Sequence, residues 1–244
     1  MGFVVDADRL LVTVDHSHNN FCVTTPAGNP AVTYHNGLKI TSVFTRTKGK
    51  RGPVGDNCPM LYALKGLHSL TTRSRDIGML HASFRQILPA FLASGFTWDW
   101  IVPLPSSSLV CSTFARKVHQ RTDIGIVQAD ALMKITADQA MRNVEGLRIQ
   151  SKDKTVLKGD IRRFIRDYGA AAPFQIKYAK AHLRHHIHPF MWGHVPAGTA
   201  PARRVLLVDD MVTSGTSLLS AAEVIRHRYP TVDIEALTLF GSSR

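Results

Sequence analysis

Fifteen residues near the C-terminus, Val205 to Leu219, restrict what this chain can fold into more than any other stretch. Val205-Leu206-Leu207-Val208 is an unbroken apolar run, the pattern of a strand buried on both faces of a parallel sheet. Two carboxylates, Asp209 and Asp210, follow at once. Met211 and Val212 lead into a loop of small residues, Thr213-Ser214-Gly215-Thr216-Ser217. Leu218, Leu219, Ala222 and Ile225 then recur at helical spacing. The stretch predicts a strand, a tight loop and a helix in direct succession.

That order makes an anion site. The first N–H groups of a helix lack intrahelical partners, and the helix dipole favours negative charge there. Gly215 permits a positive φ or a close backbone approach. The hydroxyls of Thr213, Ser214, Thr216 and Ser217 are able to donate to phosphate oxygens. Asp209 and Asp210 fall at the carboxyl end of the strand, where open α/β sheets bind ligands and where an acidic residue accepts hydrogen bonds from ribose. The combined chemistry suits a ribose 5-phosphate, with its phosphate in the loop and its 2′ and 3′ hydroxyls on the acids. The bland alternative, a strand followed by a Ser/Thr-capped helix, accounts for one hydroxyl residue. It leaves two adjacent acids and the remaining hydroxyls unexplained.

Asp209-Asp210-Met211-Val212-Thr213-Ser214-Gly215-Thr216 resembles the phosphoribosyl-pyrophosphate (PRPP) motif of the type I phosphoribosyltransferases. Three further segments, Tyr62–Gly66, Val102–Pro105 and the run Gln139 to Gly146 with its Arg142-Asn143 pair, resemble the competence-protein ComF branch of that superfamily. The chain lacks the zinc-binding cysteine motif of that branch. The resemblance covers roughly residues 60–150 and 203–241. It implies an α/β, Rossmann-like fold with a parallel sheet core flanked by helices. It also implies a phosphoribosyltransferase that transfers the 5-phosphoribosyl group of PRPP to a nitrogen acceptor and releases pyrophosphate. Mg²⁺ is the implied cofactor, reached indirectly by Asp209 and Asp210 through the metal and the ribose hydroxyls. The same resemblance leaves room for a non-catalytic PRPP or nucleotide sensor, or for a ComF-like protein associated with nucleic acid.

Earlier in the chain, Ile101 and Val102 suit a central strand, which Pro103 and Pro105 end. Pro105, Ser106, Ser107 and Ser108 follow, and Leu109 to Gln120 reads as a helix. This second strand, loop and helix N-terminus is an anion site by the same physics. In the superfamily the corresponding loop holds pyrophosphate; a proline-rich loop ending a strand is the plainer reading. The segment Leu132 to Gly146 corresponds in the superfamily to a mobile loop that brings cations to the leaving pyrophosphate. Lys134 and Arg142 are its candidates, against the alternative of ordinary surface cations.

The expected organisation is a β-rich region over 1–57 and a phosphoribosyltransferase-like α/β domain over 58–244, with a basic insertion at 151–203. Short β-branched or aromatic runs, separated by Asn19-Asn20, Gly28-Asn29-Pro30 and Asn36-Gly37, predict hairpins in the first region. Helices are predicted over 59–71 and 75–94, the second bent at Pro89, and over 156–168 and 173–184. A final strand is predicted over 232–240. His16 and His18 share a strand face, too few for a metal site. The run Arg46 to Asp56 is a basic, glycine-rich loop, read equally as a phosphate contact or as solvated surface.

Charge places the remaining constraint. The chain carries a formal net charge of +12. Residues 151–204 hold 11 Lys and Arg against 3 Asp and Glu, whereas residues 205–244 hold 3 against 5. A concentration of this kind suits polyanionic partners, either PRPP or a ribose-phosphate nucleotide or a nucleic acid, as well as plain solvation. His182, His185, His186, His188 and His194 crowd the same segment without an acid or a cysteine, which favours a polar loop or phosphate-contacting patch over a metal site. Cys22, Cys58 and Cys111 are widely spaced and read as buried or free thiols in a reducing compartment. No apolar run reaches the length of a membrane span, and Met1 to Asp15 lacks the pattern of a secretory signal. The expected location is cytoplasmic, as a homo-oligomer or part of a complex.

Overall fold

The computed structural model describes residues 2–47 and 58–241. The basic loop predicted over 46–56 therefore lies almost wholly outside the described residues. The fold is α/β, built on a mixed sheet. Its centre is β11 (Arg204–Met211), paired in parallel with β12 (Asp233–Phe240) on one side and with β7 (Trp100–Pro103) on the other. Val205 to Val208 are fully buried, as an apolar run in a doubly covered strand requires. Beyond β7 lies the short β8 (Ile126–Val127), also parallel. Beyond β12 lies β5 (Leu38–Arg46), again parallel, which carries β3 (Cys22–Val23) and β4 (Ala31–His35) as antiparallel neighbours.

β5 ties the β-rich N-terminal region to the sheet. Its polar residues kept it from standing out in the sequence, because Thr41, Ser42, Thr45 and Arg46 are all buried. Each such polar group needs a partner to be tolerated. Ser42 Oγ and Thr238 Oγ1 lie 2.8 Å apart across the β5–β12 pair, and Thr45 donates to Asn29 Oδ1 at 2.8 Å. Arg46 donates from Nη2 to the Val212 carbonyl at 3.2 Å and from Nε to the Gly241 carbonyl. β1 (Gly2–Asp6) and β2 (Leu11–Asp15) form an antiparallel pair, joined in parallel by β6 (Thr71–Thr72).

Strand alternation divides the core in two. Leu206, Val208 and Ile101 face a cluster with helices α1 (Pro59–Lys65), α2 (Ser74–Leu92) and α3 (Val110–Thr122). Val205, Leu207, Trp100 and Val102 face a second cluster with α6 (Thr216–Arg228). Pro89 is accommodated inside α2, one turn before its end. The helices that follow β7 and β11, α3 and α6, thus lie on opposite faces of the sheet. A crevice at the carboxyl ends of two such neighbouring strands is where open α/β sheets admit ligands.

A third core belongs to the segment between. β9 (Leu132–Lys134) pairs antiparallel with β10 (Phe190–Trp192), and α4 (Ala137–Gly146) packs on α5 (Ser151–Tyr168). Phe164, Phe174, Leu157, Ile161 and Val144 are buried together here, with 3₁₀ turns at Ile176–Tyr178 and Ala181–His186 closing the cluster. α5 starts five residues before the predicted 156, and the predicted helix over 173–184 is resolved into those two short turns. The segment predicted as a loop with Lys134 and Arg142 is a strand followed by a helix. Thr136-x-x-Gln139 is its capping box: Gln139 N–H donates to Thr136 Oγ1 at 3.1 Å, and Gln139 Oε1 accepts from Thr136 N–H at 2.9 Å. Among the described residues, no helix is long and apolar enough to cross a membrane.

Candidate functional site

The carboxyl end of β11 gathers polar side chains from three other elements, lysines from α1 and β9 and a thiol from α3. Asp209 is half-buried, and its Oδ1 accepts from the Asp210 backbone N–H at 2.8 Å and from the Cys111 thiol at 3.4 Å. Asp210 is buried, and its Oδ2 meets Lys65 Nζ at 2.7 Å. Lys65 is the last residue of α1, where Gly66 (φ 63°) turns the chain away in the left-handed conformation. Burial, and next the neighbouring charge of Asp210, push the Asp209 carboxyl up to about 7; its hydrogen bonds and Lys65 pull the other way. Lys134, at the end of β9, is held below the usual ammonium value by burial and then by the charges of Lys65 and Lys177, while Asp209 and Asp210 oppose the shift.

The loop after the acids takes the shape that a backbone anion cradle needs. Gly215 sits at φ +73°, immediately before the first residue of α6. A Cβ there would lie 2.9 Å from the His35 ring, so glycine is required both for its conformation and for its lack of a side chain. No side chain caps α6, whose N-cap is Gly215 itself. Ser214 Oγ and Thr216 Oγ1 lie 2.9 Å apart. Asp209 together with residues 211–218 lines a small hollow of about 40 Å³. Arg46, bonded to the Val212 carbonyl, fixes the loop from behind.

A larger cleft of about 640 Å³ opens beside the hollow. Pro105, Ser106, Ser107 and Ser108 form one wall, with Ser108 N–H donating to Ser106 Oγ at 3.2 Å. Cys111, Asp130, Lys134 and, from the basic insertion, Pro173 and Gln175 complete it. Phe174, buried in the third core, anchors that last pair, and its N–H bonds the Ile135 carbonyl at 2.8 Å. The insertion therefore contributes to the wall of the cleft.

The structure brings together Asp209, Asp210, residues 211–217, residues 105–108 and Lys134. Arg142 stands apart: it pairs with Asp138 one turn back on the exposed face of α4. Lys65, Arg46, Cys111 and Gln175 join the site without having been singled out for it in the sequence. Lys65 had a signal, a lysine directly before a helix-ending glycine; for Cys111 and Gln175 nothing local marks the role. The three cysteines are buried and free, as expected. The histidine-rich segment is dispersed: His185 and His186 pack against each other at a tilt of 45°, and His188 Nδ1 lies 3.0 Å from Glu223 on α6. No protein-family model matches the chain, and no curated protein matches it.

Proposed function

We propose that the chain is a type I phosphoribosyltransferase, which binds PRPP and transfers its 5-phosphoribosyl group to a nitrogen acceptor. The observation that carries this reading is the adjacency of a hollow at the start of α6, the acidic pair Asp209 and Asp210, and a cleft walled by the loop before α3. A 5-phosphate is held by the N–H groups of residues 214–217 and the neighbouring hydroxyls. Asp209 accepts from the ribose hydroxyls and lies beside the anomeric carbon, where positive charge develops as the C1–O bond breaks. Asp210, tied to Lys65, keeps that carboxylate in place. Lys134 and the N–H groups of Ser106 and Ser107 take the pyrophosphate oxygens, so their charge is neutralised as it leaves. Mg²⁺ would meet Asp209 and Asp210 indirectly, through the ribose hydroxyls, and would supply charge neutralisation to the pyrophosphate when bound. The wall formed by Pro173 and Gln175 keeps water from the reacting carbon.

The test is pyrophosphate release from PRPP and Mg²⁺ across a panel of nucleobases and amines. At least one acceptor should support release, and Asp209→Asn should lower the rate by about 100-fold or more, as loss of a group placed at developing charge does. Absence of release above that variant for every acceptor overturns the catalytic reading and leaves a sensor that binds PRPP without turnover.

A second reading, nucleic-acid association, rests on the exposed Arg162, Arg163 and Arg166 of α5. Two of these are already engaged, Arg163 with Asp160 at 3.8 Å and Arg166 with Asp167 at 3.0 Å. It requires salt-dependent binding of DNA or RNA that falls when the three arginines are neutralised.

A further inference from the structure

The site holds a group that ribose-phosphate chemistry does not use. Cys111, on the first turn of α3, reaches across to the end of β11. Its sulfur lies 3.4 Å from Asp209 Oδ1. One ligand atom each from Cys111, Asp209 and Asp210 falls within 4.8 Å of the others. We propose that Cys111, Asp209 and Asp210 form a binding site for a thiophilic divalent cation, Zn²⁺ or Cd²⁺, that closes the ribose subsite when occupied.

Geometry and ligand chemistry carry this. Zn–S of about 2.3 Å and Zn–O of about 2.0 Å in a tetrahedron separate sulfur and oxygen by about 3.5 Å. The Cys111–Asp209 pair already stands at 3.4 Å. Three protein ligands leave a fourth position open, the arrangement of an accessible zinc site rather than a closed structural one. Access exists, because Cys111 itself lines the 640 Å³ cleft and Asp209 the adjoining hollow. A thiolate among carboxylates selects Zn²⁺ or Cd²⁺ over Mg²⁺. Lys65 already supplies one positive charge, 2.7 Å from Asp210 Oδ2.

Binding displaces a proton. The thiol proton of Cys111 leaves to solvent, because a bound dication favours the thiolate that ligates it.

The test is titration of the metal-free full chain with Cd²⁺, read by the sulfur-to-cadmium charge-transfer absorption in the ultraviolet. The expected result is a band that saturates at about one Cd²⁺ per chain and disappears in Cys111→Ser. A Cys22→Ser/Cys58→Ser variant should keep it, because those buried thiols lie outside the cluster. Asp209→Asn should keep the band but weaken binding by about tenfold or more. No band, a band of equal size in Cys111→Ser, or unchanged affinity in Asp209→Asn overturns the site. None of these readouts depends on PRPP, so failure here is distinct from failure of the transferase reading. Competition completes it: ribose 5-phosphate should weaken Cd²⁺ binding, and independent binding overturns the shared subsite.

Discussion

Asp209 shows how one residue carries opposite demands. In the free protein its carboxyl is pushed up to about 7, chiefly by burial and then by Asp210. A folded value above the ordinary 3.8 means that folding favours the protonated form. The associated stability is fully present below about pH 4 and is lost as pH rises through about 7. Thermal melts should therefore show the free protein losing stability between about pH 4 and 7, and no further loss from this group above that. Asp209→Asn should flatten that slope and be more stable than the parent at pH 8, by about 1 kcal/mol or more. A slope unchanged by the substitution would place the titration elsewhere. Gly215 is constrained in a different way, by φ +73° and by the His35 ring. Gly215→Ala should destabilise by about 1–3 kcal/mol in chemical denaturation and weaken phosphomonoester binding. Adding His35→Ala should recover only the part of that cost due to the collision. Both positions were legible in the sequence, because the acidic pair and the loop glycine are defined by their immediate neighbours.

Between elements, the Lys65–Asp210 pair joins the end of α1 to the end of β11 at 2.7 Å. Removing one partner of a mostly buried ion pair leaves the other charge without compensation. Lys65→Met should destabilise by about 2–4 kcal/mol at neutral pH in urea denaturation, less than a fully buried pair because Lys65 keeps some exposure to water. Lys65→Met/Asp210→Asn should recover most of that loss. The helix carrying Lys65 was legible from its apolar spacing, although it ends at Lys65 and not at the expected 71 because Gly66 turns the chain away, and α2, α3 and α6 were legible too. The identity of Lys65's partner was not, since 145 positions separate the two residues. The strand β5 was obscured for a related reason: its buried Thr, Ser and Arg are satisfied by partners from distant segments, which no local pattern displays.

At the scale of the molecule, residues 135–187, which join α4 to most of the basic insertion, have a core of their own, centred on Phe164 and Phe174. Phe164→Ala should cost about 3–5 kcal/mol within that unit. Hydrogen exchange should then speed up across 135–187 while amides of 205–208 keep their protection, because the two regions have separate cores. Uniform acceleration would show one cooperative unit instead. The sequence by itself determined the strand, loop and helix of 205–228, the loop of 105–108 between a strand and a helix, and the basic character of 151–204, since each follows from neighbouring residues and hydrogen-bonding needs along one stretch of chain. Only the tertiary structure decided that Lys65 and Cys111 meet the acidic pair, that Lys134 joins it while Arg142 turns to Asp138, and that Pro173 and Gln175 wall the cleft. Those outcomes depend on how strands pair and helices cross, and on which distant groups must be buried together, and that information resides in the packing of the whole chain rather than in any window of it.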